Sequence, residues 1–95
     1  MIFQWDPKKA KSNLRQHEVA FEEAATVFLD PLAVTFPDPD HSSAEEREIT
    51  IGYSSKQRLL FVSHCMRGGG HRIISARRAT RKERNQHEDG IREEE

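Results

Sequence analysis

Cysteine occurs once in the 95 residues, at Cys65, so no internal disulfide can staple the fold and the lone thiol fits a reducing cytoplasm. No apolar run approaches the eighteen or so residues of a membrane span, and the N-terminus lacks the pattern of a signal peptide. His and Cys spacings give no structural zinc pattern, so neither metal nor cofactor is expected. The run Gly68-Gly69-Gly70 is not followed by the Lys-Ser/Thr of a phosphate loop, and it lies between two strand-like segments. It reads as a hairpin turn.

Charge is abundant but segregated. Hydrophobic residues make up 35% and charged residues 33%, which leaves one modest core under a heavily charged surface. The net charge of −1 hides a block of net −8 over residues 18–48 and one of net +8 over residues 56–84. Within the second block, RIISARRATRKER (residues 72–84) holds six cations and one acid, Glu83. A patch of that density suits a polyanion or an acidic protein equally well.

The chain alternates clear signals. IFQW is a short strand, and Asp6-Pro7 caps and opens a helix running to Gln16 or His17, with Ala10 and Leu14 facing inward. Asn13 and His17 share a face of it. FEEAATVFL is a second helix with Phe21, Ala24, Ala25 and Phe28 on one stripe, ended by Asp30-Pro31. LAVTF is a strand closed by the loop PDPDHSS. REITIGYS, RLLFVSHCM and RIISA form three consecutive antiparallel strands joined by two hairpins. Thr80 to Glu83 spells a capping box that starts a polar third helix, and residues 89–95 read as a disordered acidic tail after a single domain over residues 1–88. The order β-α-α-β-β-β-β-α makes an α+β domain, with helices against one face of an antiparallel sheet.

Register can be read from the turns. Centring the first hairpin near Lys56 sets Glu48 opposite His64 and Ile51 opposite Phe61. Centring the second on Gly69 sets His64 opposite Ile74 and Met66 opposite Arg72. One face then carries Ile49, Ile51, Tyr53, Leu59, Phe61, Cys65 and Ile73, suited to cover by helices. The other carries Glu48, Thr50, Val62, His64, Arg72, Ala76 and Arg78 and is expected to be open. An imidazole beside guanidiniums suits metal-independent RNA cleavage, which needs proton transfer and cations for the charge on phosphate. On that reading His64 titrates, Arg72 and Arg77 touch the scissile phosphate, and Arg67 reaches in from the hairpin. Arg78 holds flanking RNA, and Arg81, Lys82 and Arg84, on a polar helix, grip flanking phosphates or an acidic protein partner.

The segments WDPKKAKSNLRQHEVAFEEAATVFLDP, DPDHSSAEEREITIGYSSKQRLLFVSHCMR and RIISARRATRKER, in this order, resemble the BrnT family, toxins of type II toxin–antitoxin systems. The resemblance implies a RelE-like fold and metal-independent RNA cleavage. It also implies neutralisation by a BrnA-like antitoxin with a ribbon-helix-helix domain, through which alone the complex reaches operator DNA. The family's basic positions correspond to Arg67, Arg72, Arg77 and Arg78, and its polar ring residue to His64. Glu18 stands where the family usually has Gly, and Glu48 where an aromatic is commoner. A binding module without strong catalysis, acting as antitoxin partner and co-repressor, is the alternative.

Overall fold

The computed structural model describes residues 2–40 and 46–94, with side chains through Ile91; residues 41–43 of the expected loop lie outside them. The elements are β1 (Phe3–Gln4), α1 (Pro7–His17), α2 (Phe21–Thr26) passing into a 3-10 turn (Val27–Leu29), and β2 (Val34–Pro37). They continue with β3 (Glu48–Tyr53), β4 (Leu59–Arg67), β5 (Gly70–Arg78) and α3 (Arg81–Glu94). Residues of the expected acidic tail up to Glu94 therefore contribute to α3.

Local chemistry sets these boundaries. The Asp6 carboxylate accepts the Lys8 N–H at 2.9 Å, and Pro7 opens α1 where no N–H is needed. At the other end Glu18 takes a left-handed conformation (φ 58°), and its N–H reaches back to the Leu14 carbonyl. Thr80 Oγ1 accepts the Glu83 N–H while Glu83 Oε1 accepts the Thr80 N–H, so the capping box is real. Gly68 and Gly69, both at positive φ, make the two-residue turn between β4 and β5.

The sheet has five strands in the order β1-β5-β4-β3-β2. Because β1 runs parallel to β5, pairing Phe3 with His71, the sheet is mixed rather than antiparallel throughout. The first hairpin follows the expected register, with Glu48 opposite His64 and Ile51 opposite Phe61. The second follows it only from Leu60–Arg78 to Ser63–Ser75. There the register shifts, Ile74 is left without a partner, and His64 lies opposite Ile73, Cys65 opposite Arg72 and Met66 opposite His71.

Over β3, β4 and the half of β5 beyond Ile74 the faces are the reverse of those read from the sequence. On the other side of the shift Ile73 keeps its place on the covered face and Arg72 on the outer one. Val19, Phe21, Ala24 and Val27 pack on Leu60, Val62, Ile73 and Ala76, so the helices cover the face that carries Thr50 and His64. Both faces of β4 are apolar over Leu59–Val62, and alternation could not choose between them. Gly52 supplies one physical reason for the choice. A Cβ there would meet Ala33 Cβ and Val27 Cγ1 at 2.9 Å, so the 3-10 turn can approach only this side of β3. Leu14, expected inside, is 51% exposed, and Asn13 is the buried residue of α1. The second-helix stripe packs as expected, and Trp5 lies edge-on to Phe21 at 6.0 Å.

Candidate active site on the outer face of the sheet

The outer face is divided. α3 lies across one part, tied by the Tyr53 hydroxyl donating to Glu88 Oε1 at 2.9 Å and by Arg77 pairing with Glu83. The rest is a groove of about 400 Å³ lined by His17, Asp38, Asp40, Arg47, Ile49, Phe61, Ser63, Ile74, Ser75, Ala76 and Arg77. Its floor is apolar strand and its rim is polar, with one imidazole and two guanidiniums.

Arg77 stands at the border of the two parts. Its guanidinium lies 4.4 Å from the centre of the Phe61 ring, directly across the β4–β5 pair. Nη1 and Nη2 donate to the two carboxylate oxygens of Glu83, each at 2.9 Å. That pairing and the Thr80 N–H hold the Glu83 carboxyl at about 2, well below the usual carboxylate range. The geometry presents a planar cation already shaped around two oxygens, as a phosphate would require.

His64 has a different environment. It is 1% exposed, under the helices, and its Nε2 shares a 2.7 Å hydrogen bond with Thr50 Oγ1, which shares another of 2.7 Å with Thr35. Burial, with His71 nearby, lowers its pKa to about 4. The ring therefore does not stand on an open face. The bulge at Ile74 also separates it from Arg72, which lies opposite Cys65 and projects to the outer side. Arg72 and Arg77 share that side. Arg67 is exposed at the β4–β5 turn, where its carbonyl accepts from Gln4 Nε2 at 2.6 Å. Arg78 is exposed at the end of β5, and Arg81, Lys82 and Arg84 are exposed on the first turns of α3.

Sequence reasoning missed His17 and Arg47 as lining residues. Arg47 precedes β3 and its carbonyl accepts the Asp38 N–H at 2.9 Å, which brings it over the groove. His17 was visible in the sequence as the last helical residue before a turn and as the residue sharing a helix face with Asn13, neither of which pointed to a groove. Among the described residues no group of three or more His, Cys, Asp or Glu is placed to hold a metal ion, and no helix is long and apolar enough to cross a membrane.

Comparison with known proteins places this geometry in a family. The model for the ribonuclease toxin, BrnT, of type II toxin–antitoxin systems matches residues 5–83. The crystal structure of the Brucella abortus ribonuclease toxin, BrnT, shares the fold at a TM-score of 0.67 and 22% identity, over 85% of this chain and 100% of that one. No curated protein matches. With most of its length matched by the family model and its architecture repeated in that crystal structure, the chain belongs to the BrnT family of type II toxin–antitoxin ribonuclease toxins.

Proposed function

We propose that this chain is a cytoplasmic toxin with a RelE-like scaffold that cleaves RNA internally without a metal ion and so arrests translation. The observation that supports the reading best is the outer groove, where Arg77 and Arg47 flank an apolar floor beside His17, Ser63 and Ser75. A ribose-phosphate lying there would exchange Glu83 for its own oxygens on Arg77, whose charge then offsets the negative charge that builds on phosphorus. Arg67 and Arg72 hold the adjoining phosphates. Arg78, Arg81, Lys82 and Arg84 extend the cationic track. His64 takes a structural part in this reading, as a core residue. The partner is a BrnA-like ribbon-helix-helix antitoxin, which competes for the same cations and through which operator DNA is reached.

The expected result is that purified protein cuts RNA in EDTA and that Arg77→Ala, folded by circular dichroism, cuts at least about a hundredfold more slowly. Activity that vanished with chelator and returned with magnesium would overturn the metal-independent mechanism. The bidentate Glu83–Arg77 pair favours a second reading, because a guanidinium neutralised within the chain suits a weakly catalytic partner and co-repressor. Induced expression separates the two. Growth arrest by the chain alone, relieved by the neighbouring open reading frame and absent in Arg77→Ala, supports the toxin.

A further inference from the structure

We propose that His17 is the proton-transfer residue of the outer groove, accepting the 2′-hydroxyl proton as RNA is cut; the inference rests on the ribonuclease reading above. Cleavage of this kind needs a group that takes up a proton near neutrality, and imidazole is the side chain suited to it. His17 is the one imidazole among the described residues that line the groove. His64 is sealed beneath the helices on the opposite face of the sheet. His71 stacks among Phe3, Phe28 and His64, and His87 lies beside Tyr53 on α3.

The position of His17 is built rather than incidental. One helical turn earlier, Asn13 is locked to β5: its Nδ2 donates to the Ala76 carbonyl at 2.9 Å and its Oδ1 accepts the Ala76 N–H at 3.0 Å. Ala76 is the immediate neighbour of Arg77, so the end of α1 is pinned beside the phosphate-binding cation. Residues four apart share a helix face, which carries the anchor at Asn13 forward to His17. The left-handed Glu18 then turns the chain away and leaves the ring exposed at the groove. The other charged groups around it are Asp38 and Asp40 from the segment after β2, Arg47 before β3 and Arg77 on β5, with Arg15 in the same turn of α1. Asp38 is buried, and its Oδ1 accepts the Asp40 N–H at 3.0 Å.

In the proposed step the 2′ oxygen bonds to the adjacent phosphorus while its proton passes to the neutral His17 ring. The bond from phosphorus to the 5′ oxygen breaks, and the departing oxygen takes a proton from water. The hydroxide left behind collects the proton from His17, so the ring is restored. The products are a 2′,3′-cyclic phosphate and a free 5′-hydroxyl.

The test is single-turnover cleavage of a short single-stranded RNA by the full chain, from pH 5 to 9, with wild type, His17→Ala, His17→Gln and His64→Gln. His17→Ala is expected to cut roughly a hundredfold or more slowly and to lose the acid limb of the pH–rate profile. His17→Gln keeps a polar side chain but cannot titrate, and is expected to be as slow; its recovery to near wild-type rate would reduce His17 to a structural role and overturn the proposal. A folded His64→Gln is expected to keep the acid limb. If the wild type cuts RNA and His17→Ala is within twofold of it, the proposal fails while the ribonuclease reading stands. If the wild type cuts no RNA, both fail.

Discussion

The His64 ring meets Phe28 edge-on at a centroid separation of 4.9 Å and His71 at 5.5 Å, and its buried Nδ1 has no hydrogen-bond partner among the described residues. An imidazolium in that setting would be a desolvated charge beside a second titratable ring, which is why its pKa is lowered to about 4. The sign of the consequence follows from linkage. An unfolded histidine titrates near 6.5, so between about pH 6.5 and pH 4 the unfolded chain binds the proton more readily than the folded one. The stability due to neutral His64 is fully present above that window and is lost as pH falls through it. Urea unfolding at pH 7.5 and pH 5.0 is expected to differ by about 2 kcal/mol on this account, and by much less in His64→Gln. Equal stability of the wild type at both values would contradict a buried neutral ring.

Between elements, the amide of Asn13 ties α1 to the edge of the sheet. β1 pairs with β5 at His71 and Arg72, and farther along this edge of β5 no strand among the described residues lies beside the backbone at Ala76. Asn13 supplies what a strand would have given, a donor and an acceptor for Ala76, and a second Nδ2 bond to the Val19 carbonyl at 2.9 Å. Asn13→Ala is expected to lower stability by about 3 kcal/mol in urea unfolding, since three buried backbone groups lose their partner. Asn13→Asp keeps the acceptor but sets a carboxylate against two carbonyls, and is expected to be worse. A change under about 0.5 kcal/mol in both would show that water replaces the amide. The i, i+4 spacing of Asn13 and His17 was legible in the sequence. Its meaning was not, because an asparagine on a helix face carries no sign of the strand edge it will meet.

Across the molecule, the acidic and basic blocks neither cancel wholly nor stay apart. Buried Glu23 accepts from the Arg58 guanidinium and from Ser54 Oγ, which pins α2 to the β3–β4 turn and takes one charge from each block. Arg77 is held within the basic block by Glu83. Arg81 and Lys82, by contrast, are exposed on α3 beyond the groove. Cations so placed would add counterion release without touching the reacting phosphate. Arg81→Ala with Lys82→Ala is expected to reduce the slope of log affinity against log salt for single-stranded RNA by about 1.4. Cleavage at saturating RNA is expected to be unchanged. A lowered single-turnover rate in this variant would move the reacting centre toward α3.

The sequence by itself determined the order and most boundaries of the elements, because caps, the Gly-Gly turn and the helical stripe are local signals that act within a few residues. It also carried the family, through ordered segments that span nearly the whole chain. It did not determine which face of the sheet the helices cover. With Leu59, Leu60, Phe61 and Val62 in one run, β4 offers apolar surface on both sides, and the choice fell to the approach of the 3-10 turn over Gly52 and to α1 docking through Asn13. One unpaired residue, Ile74, then inverted the far half of β5 and sent His64 and Arg72 to opposite sides. Side-chain direction in a strand has a period of two, so a one-residue shift moves a residue from solvent to core. The imidazole read from sequence lies in the core because the helices cover its face of β4, and the one that lines the groove comes from the end of a helix.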